Sequence, residues 1–209
     1  MPAQYFEKDQ LIEIFPDFQP MRVKYKDVFD MKAFYEALHE WLLENKWEDK
    51  EDHLDHWENF YGERISQGGA REIWIQWRPW KSPGDVGDSK LAYYMDLDFH
   101  CIALTTTEIV RNGQKMKINK GEVELKIRAY IEKTYVSEWK DHWFLKHFID
   151  LFTKRIYHET LKRRQKELYQ QSYEFQNFIK QWFKLKRYLP YEEAGNFFTS
   201  EAYPSHLKE

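Results

Sequence analysis

The residues best suited to chemistry lie on one predicted strand, where Asp96, Asp98 and His100 alternate with apolar residues. Alternate residues of a strand share a face and lie about 6.5 to 7 Å apart. Two carboxylates and an imidazole can hold a divalent cation, or act as a carboxyl pair with split pKa values. The same groups can instead pair across strands with Lys126, Arg128 or Arg78 as an ion-pair ladder. Because no spacing matches a specific motif, the ladder is favoured, and no metal or cofactor is predicted.

Several catalytic and binding signatures are missing from the sequence. It contains no Gly-x-x-x-x-Gly-Lys-Ser/Thr, Gly-x-Gly-x-x-Gly, Gly-x-Ser-x-Gly or Cys-x-x-Cys motif. His53 and His56 lack the His-Glu-x-x-His pattern of zinc proteases and are predicted to lie in a charged surface turn. The single cysteine, Cys101, alternates onto the apolar side of its strand, where a thiol behaves as a small hydrophobe. A lone cysteine forms no internal disulfide, which favours a reducing, cytoplasmic location.

Basic residues near the C-terminus form a candidate nucleic-acid surface. Arg163 and Arg164 belong to one cationic cluster, and Lys184 and Arg187 to a second cluster that also contains aromatic residues. Cations beside aromatic rings suit a phosphate backbone with stacked bases. The pI of about 6.3 lacks the net positive field of a dedicated binder, so RNA association is kept as an alternative.

Composition and charge define the class of protein. The 209 residues are 18% aromatic, which indicates a folded chain with a large core. No segment has the pattern of a signal peptide or a membrane-spanning helix, so no membrane association is expected. The first 70 residues carry a net charge of -8, whereas residues 140–189 carry +7. Such asymmetry suits packing of the two parts on each other, association between subunits, or contact with a polyanion.

The periodicity of apolar residues predicts the elements that position these side chains. The predicted elements are an extended arm over residues 1–20, a strand over 21–29, a helix over 31–46 capped by Asp30, and strands over 59–66, 71–78, 91–105 and 122–135. Turns are expected at Gly68-Gly69, Asn112-Gly113 and residues 119–121, and they predict an antiparallel meander of four to five strands. One apolar sheet face is expected to contain Ile73, Ile75, Trp77, Met95, Leu97, Phe99, Cys101, Ala103, Val123, Leu125, Ile127, Ala129 and Ile131.

The remaining chain is predicted to be helical. Ser137 is expected to cap a helix whose broad apolar face, over residues 139–156, lies on the sheet. Over residues 159–187, Leu161, Leu168, Phe175 and Trp182 recur every seven residues, and this narrow seam leaves room for a partner. The predicted fold is therefore α+β: a single domain over residues 21–187, with the sheet packed on one face by the N-terminal helix and the long C-terminal helices, and an aromatic arm over 188–209.

Two resemblances accompany this pattern. Over residues 21–185 the sequence resembles a group of short archaeal proteins of unknown function, and this resemblance implies no activity. The segments that carry it are Val28-Phe29-Asp30, Gly69–Ile75 and Gly121–Tyr130. The order strand, helix, meander and long C-terminal helix is similar to the helix-grip arrangement of START and Bet v1-like domains, which implies an apolar ligand between sheet and helix. This chain departs from that family in its longer helical C-terminus and its many Trp and Phe residues, which would fill such a cavity.

These observations predict a non-enzymatic protein-interaction or assembly protein that associates with itself or with a protein partner. The predicted interaction residues are Phe15, Phe18, Leu161, Leu168, Phe175, Trp182, Phe197 and Phe198. One alternative is a helix-grip-like small-ligand-binding protein or hydrolase that uses Asp96, Asp98 and His100. The other alternative is an RNA-associated factor that uses the basic residues named above.

Overall fold

The computed structural model describes residues 10–15, 19–49, 57–83, 90–111 and 114–185. They form an α+β fold in which helices pack on an antiparallel sheet, as predicted. The strands are β1 (Leu11–Glu13), β2 (Met21–Phe29), β3 (Glu58–Ile65), β4 (Arg71–Trp77), β5 (Trp80–Lys81), β6 (Leu91–Arg111) and β7 (Gln114–Lys133). Phe18, Phe197, Phe198, Arg187, His53 and His56 lie outside the described residues.

The sheet is a meander extended at one side by the N-terminal strands. Its order is β1-β7-β6-β4-β3, with β2 also paired to β7 and β5 also paired to β6. The described residues form seven strands where four to five are expected, because the short strands β1 and β5 add to the predicted ones. β1 lies within the predicted N-terminal arm and pairs with β7 through Leu11 and Glu132.

The β6–β7 hairpin is the longest element of the sheet, and a bulge interrupts it. Its register shifts between Ile102 and Thr105, where Ala103 has a φ of 52° and is exposed. Gly121 opposes the bulge, and a Cβ atom there would lie 3.0 Å from the Ile102 carbonyl oxygen. The predicted turn at residues 119–121 is therefore wrong, since this segment is inside β7, and Ala103 does not join the apolar face.

The other predicted members of the apolar face are buried in the core. Leu97, Ile127 and Ile131 are among its fully buried residues. Helix α1 (Met31–Glu44) begins where expected, because the Asp30 side chain accepts a hydrogen bond from the Ala33 amide at 3.1 Å. This cap satisfies an amide that the helix itself leaves unbonded.

Helix α4 (His158–Trp182) also packs on the core, and within the described part of the chain its seam is covered by other side chains of the same chain. Leu161, Leu168 and Phe175 are buried in the core cluster that the sheet and α1 share. The Phe175 ring lies 4.8 Å from the Trp41 ring of α1, measured between centroids. The heptad spacing therefore reflects packing within this chain.

A chain of short helical turns connects β7 to α4. It contains α2 (Thr134–Lys140), a 3₁₀ turn (Leu145–His147), α3 (Ile149–Leu151) and a π-helical turn (Phe152–Ile156). Ser137 lies inside α2 and donates a hydrogen bond to the Thr134 carbonyl at 2.7 Å, so it does not cap a helix. Within the described ranges, no helix is long and apolar enough to cross a membrane.

Candidate functional site

The segment between β7 and α4 presents a groove lined only by apolar side chains. Its volume is about 250 Å³. We call it the apolar groove, and its lining residues are Trp139, Phe144, Leu145, Phe148, Leu151, Phe152 and Ile156. Several of these side chains are large and reach solvent, which is unusual for a folded chain with a filled core.

Among the apolar residues of this segment, exposure is highest at Trp143 and Ile156. Trp143 is 77% exposed and Ile156 is 68% exposed. Phe144, Phe148 and Leu151 are also exposed. The Trp143 ring contacts Phe144 with a centroid distance of 5.7 Å, so an indole projects beside the apolar groove.

One side of the segment is anchored, which explains why the other side faces solvent. Tyr135 is buried, and its ring lies 5.2 Å from the Phe152 ring, which in turn stacks on Tyr157. The Tyr135 hydroxyl is also 2.8 Å from the Thr153 hydroxyl. These contacts fix the inner side of the segment to the body of the fold and leave the outer side free.

The prediction that the whole apolar face of residues 139–156 lies on the sheet is therefore wrong. Helices α1 and α4 share the core with the apolar sheet face, and the outward side chains of this segment find no place there. The sequence carried a signal of this outcome. At about 3.6 residues per turn, Trp143, Phe144 and Ile156 would spread over more than half of a helix circumference, which is too wide for one core to cover.

Charged residues of both signs lie along the same segment. Residues 138–155 contain four Lys or Arg and three Asp or Glu side chains. Lys154 and Asp150, one helical turn apart, approach to 3.7 Å and are both largely exposed. The segment that carries the apolar groove is thus itself nearly balanced in charge.

The polar sheet face holds the predicted trio of Asp96, Asp98 and His100, but each member has a different partner. Asp98 is paired with Arg128 on β7. His100 Nε2 lies 2.9 Å from a Glu72 carboxylate oxygen on β4. These contacts form the ion-pair ladder that the alternation favoured.

Asp96 is the most buried member of this face, at 2% exposure. Arg78 Nε lies 3.7 Å from its carboxylate, and neither carboxylate oxygen has a hydrogen-bond partner among the described residues. Burial raises the pKa of Asp96 to about 6, although the Arg78 and Arg128 guanidinium groups act to lower it. Asp96 is therefore a proton-binding group in the body of the fold, without an opening to a substrate in the described cavities.

Other candidate residues have structural roles. Cys101 is fully buried, and burial raises the pKa of its thiol to about 12, so it is not a nucleophile at neutral pH. No group of three or more His, Cys, Asp or Glu side chains in the described part of the chain can hold a metal ion.

The predicted interaction and nucleic-acid residues are not gathered on one surface. Phe15 is buried with its ring 5.6 Å from that of Tyr169, and Trp182 packs against Phe34 at 5.0 Å. Arg163 and Lys184 are exposed, but Arg164 donates to Glu167 at 2.8 Å. A cation engaged in this way is less available to a phosphate, which weakens the case for RNA.

No family model, curated protein or solved structure matches this chain. The helix-grip analogy therefore depends on the fold alone. In the helix-grip arrangement an apolar ligand lies between the sheet and the long helix. In this chain the inner face of α4 is fully buried, at Leu168, Phe175 and Ile179. The described cavities of about 250 and 200 Å³ open to solvent and lie below the volume of about 300 Å³ typical of small-molecule sites.

Proposed function

We propose that this chain is a non-enzymatic assembly protein whose copies associate through the apolar groove. The observation that carries the proposal is the exposed indole of Trp143 beside a groove lined only by apolar side chains. Contiguous exposed apolar surface of this kind marks interaction sites in soluble proteins.

The shape of the surface favours a second copy as the occupant. A two-fold dimer requires a patch that is complementary to itself, so that each copy supplies both a projection and a depression. Trp143 is the projection, and the apolar groove is the depression. The groove volume of about 250 Å³ suits a large side chain better than a drug-sized ligand.

The charges near the apolar groove also favour a protein surface over an anionic lipid surface. Lipid recognition of that kind uses clusters of about four to eight Lys or Arg residues. Here four cations are interspersed with three carboxylates, which a two-fold related copy can match with opposite charges.

Light scattering of the full chain over a range of protein concentrations tests this proposal. We expect a dimer. We expect Trp143→Ala to raise the dissociation constant of the dimer about 30-fold, as for a tryptophan at the centre of an interface. Tyr61→Ala is the matched control, since Tyr61 is an exposed aromatic residue on β3.

Two results would overturn the proposal. A wild-type chain that stays monomeric at the highest concentration would exclude self-association. Equal loss of dimer in the Trp143→Ala and Tyr61→Ala variants would place the interface elsewhere. Sedimentation with anionic vesicles completes the experiment, because vesicle binding by a monomer would assign the surface to lipid.

A further inference from the structure

A second cavity, separate from the apolar groove, lies between α1 and the strands β3 and β4. Its volume is about 200 Å³. The residues that line it are Tyr35, Glu36, His39, Glu40, Trp57 and Trp77. Four of the six are aromatic, two are acidic and none is aliphatic.

The rings of this cavity cross one another almost at right angles. Tyr35 meets Trp77 at a centroid distance of 4.6 Å and an interplanar angle of 74°. His39 meets Trp57 at 4.6 Å and 74°, and the two tryptophans meet at 6.1 Å and 71°. The rings pack edge to face around the cavity, and the faces of aromatic rings carry partial negative charge.

Hydrogen bonds hold this arrangement in place. The Tyr35 hydroxyl donates to the Glu58 carboxylate and accepts from the Trp77 indole N–H at 3.1 Å. Burial and the Glu58 carboxylate both raise the pKa of Tyr35, so its ring stays a neutral phenol. Trp77 is fully buried and supports the cavity from beneath, whereas Tyr35 and His39 are partly exposed and form its walls.

Carboxylates give the mouth of the cavity a negative charge. Glu36 and Glu40 lie one helical turn apart on α1, and both are exposed. Lys32 approaches Glu36 at 3.6 Å, but this pair is exposed and screened by solvent. Glu40 has no ion pair with a described residue.

The preferred ligand follows from the polar groups inside the cavity that are already bonded. Because the Tyr35 hydroxyl donates to Glu58 and accepts from Trp77, the inside of the cavity offers little to the N–H donors of a ligand, and the carboxylate acceptors lie at its mouth. A quaternary ammonium has no N–H to satisfy and is attracted to aromatic faces and to nearby carboxylates.

We propose that the cavity lined by Tyr35, His39 and Trp57, with Glu36 and Glu40 at its mouth, binds a trimethylammonium group. This proposal does not depend on association through the apolar groove. A monomeric chain can bind the cation, and a dimeric chain can fail to bind it.

Titration of the full chain with choline, followed by tryptophan fluorescence at constant ionic strength and pH 8, tests the site. The neutral isostere 3,3-dimethylbutan-1-ol is titrated in parallel, because it has the same shape without the charge. We expect saturable binding of choline and at least fivefold weaker binding of the isostere. N-acetyl-trimethyllysine methylamide is titrated as a third ligand. Whether it or choline binds more tightly identifies the source of the trimethylammonium group, a trimethylated lysine or a choline-like molecule.

A pair of conservative variants locates the binding. Glu40→Gln is expected to weaken choline binding about threefold, and Glu44→Gln, one turn further along α1 and also exposed, to leave it unchanged. Equal binding of choline and its isostere, or no saturation by choline up to tens of millimolar, would overturn the proposal. The same affinity in both variants would remove Glu40 from the site and would also overturn it.

Discussion

Replacement of Asp96 by Asn is expected to stabilise the fold at neutral pH but have little effect in acid. The Asp96 carboxyl is 2% exposed, and burial raises its pKa from 3.8 to about 6. Between these two values the folded chain holds a proton that the unfolded chain has released. The wild-type fold therefore loses stability as the pH rises through this window.

The size of the loss follows from the shift in pKa. A difference of about 2 pKa units corresponds to about 3 kcal/mol in the free energy of unfolding, most of it lost between pH 4 and pH 7. Asparagine keeps the shape of the side chain but cannot ionise. The Asp96→Asn variant should thus match the wild type near pH 4 and exceed it by about 2 to 3 kcal/mol at pH 8.

Urea unfolding followed by tryptophan fluorescence at pH 4 and pH 8 measures both free energies. Asp98→Asn is the matched control on the same strand, because the Asp98 carboxylate pairs with Arg128. Loss of the Asp98 carboxylate should destabilise the fold at pH 8, whereas Asp96→Asn should stabilise it. A stability difference between wild type and Asp96→Asn that is independent of pH, or that favours the wild type at pH 8, would refute the argument from burial.

Two further predictions concern the architecture. Gly121→Ala should lower the free energy of unfolding by about 1 to 3 kcal/mol, because the added Cβ would lie 3.0 Å from backbone atoms of β6. Gly68→Ala is the control and should cost much less, because nothing lies within 4 Å of a Cβ atom there. Equal losses of the two variants in urea unfolding would contradict this account of the bulge. Phe175→Ala should lower the free energy of unfolding by about 3 to 5 kcal/mol, because the ring is fully buried. Trp143→Ala should change the free energy of unfolding by less than about 0.5 kcal/mol, because the indole is exposed. A large loss of stability in Trp143→Ala would mean that Trp143 supports the fold.

Alternation of apolar and polar residues predicted most of the sheet, and the exceptions have a local cause. Leu97 and Phe99 are buried as their spacing required. Ala103 departs from the pattern because the bulge in β6 adds a residue without a partner and changes which residues face the core. The bulge depends on the close approach of Gly121 on the partner strand, and a pattern along one strand does not contain that information.

The candidate site was harder to predict than the sheet, because exposure depends on competition for space. Trp143 and Ile156 are apolar in the sequence, and burial was the natural expectation. The area of the apolar sheet face is limited, and α1 and α4 share it with the sheet side chains, so these residues remain outside. The ladder on the opposite face was foreseeable as a type of interaction, but the pairing of His100 with Glu72 depends on strand register.

The long hairpin also has a consequence for the order in which the chain folds. Its ladder starts at Arg111 and Gln114, beside the connection, and continues outward to Leu91 and Lys133. Each new pair closes only a slightly larger loop than the one before it, so the entropy cost per step is small. β1 instead pairs with β7 across more than half of the chain, and we expect it to dock late. A ladder slipped by one residue would move Gly121 away from the bulge and place a residue with a Cβ atom against the β6 backbone. This contact disfavours the slipped pairing, so rapid zippering leads to a single register.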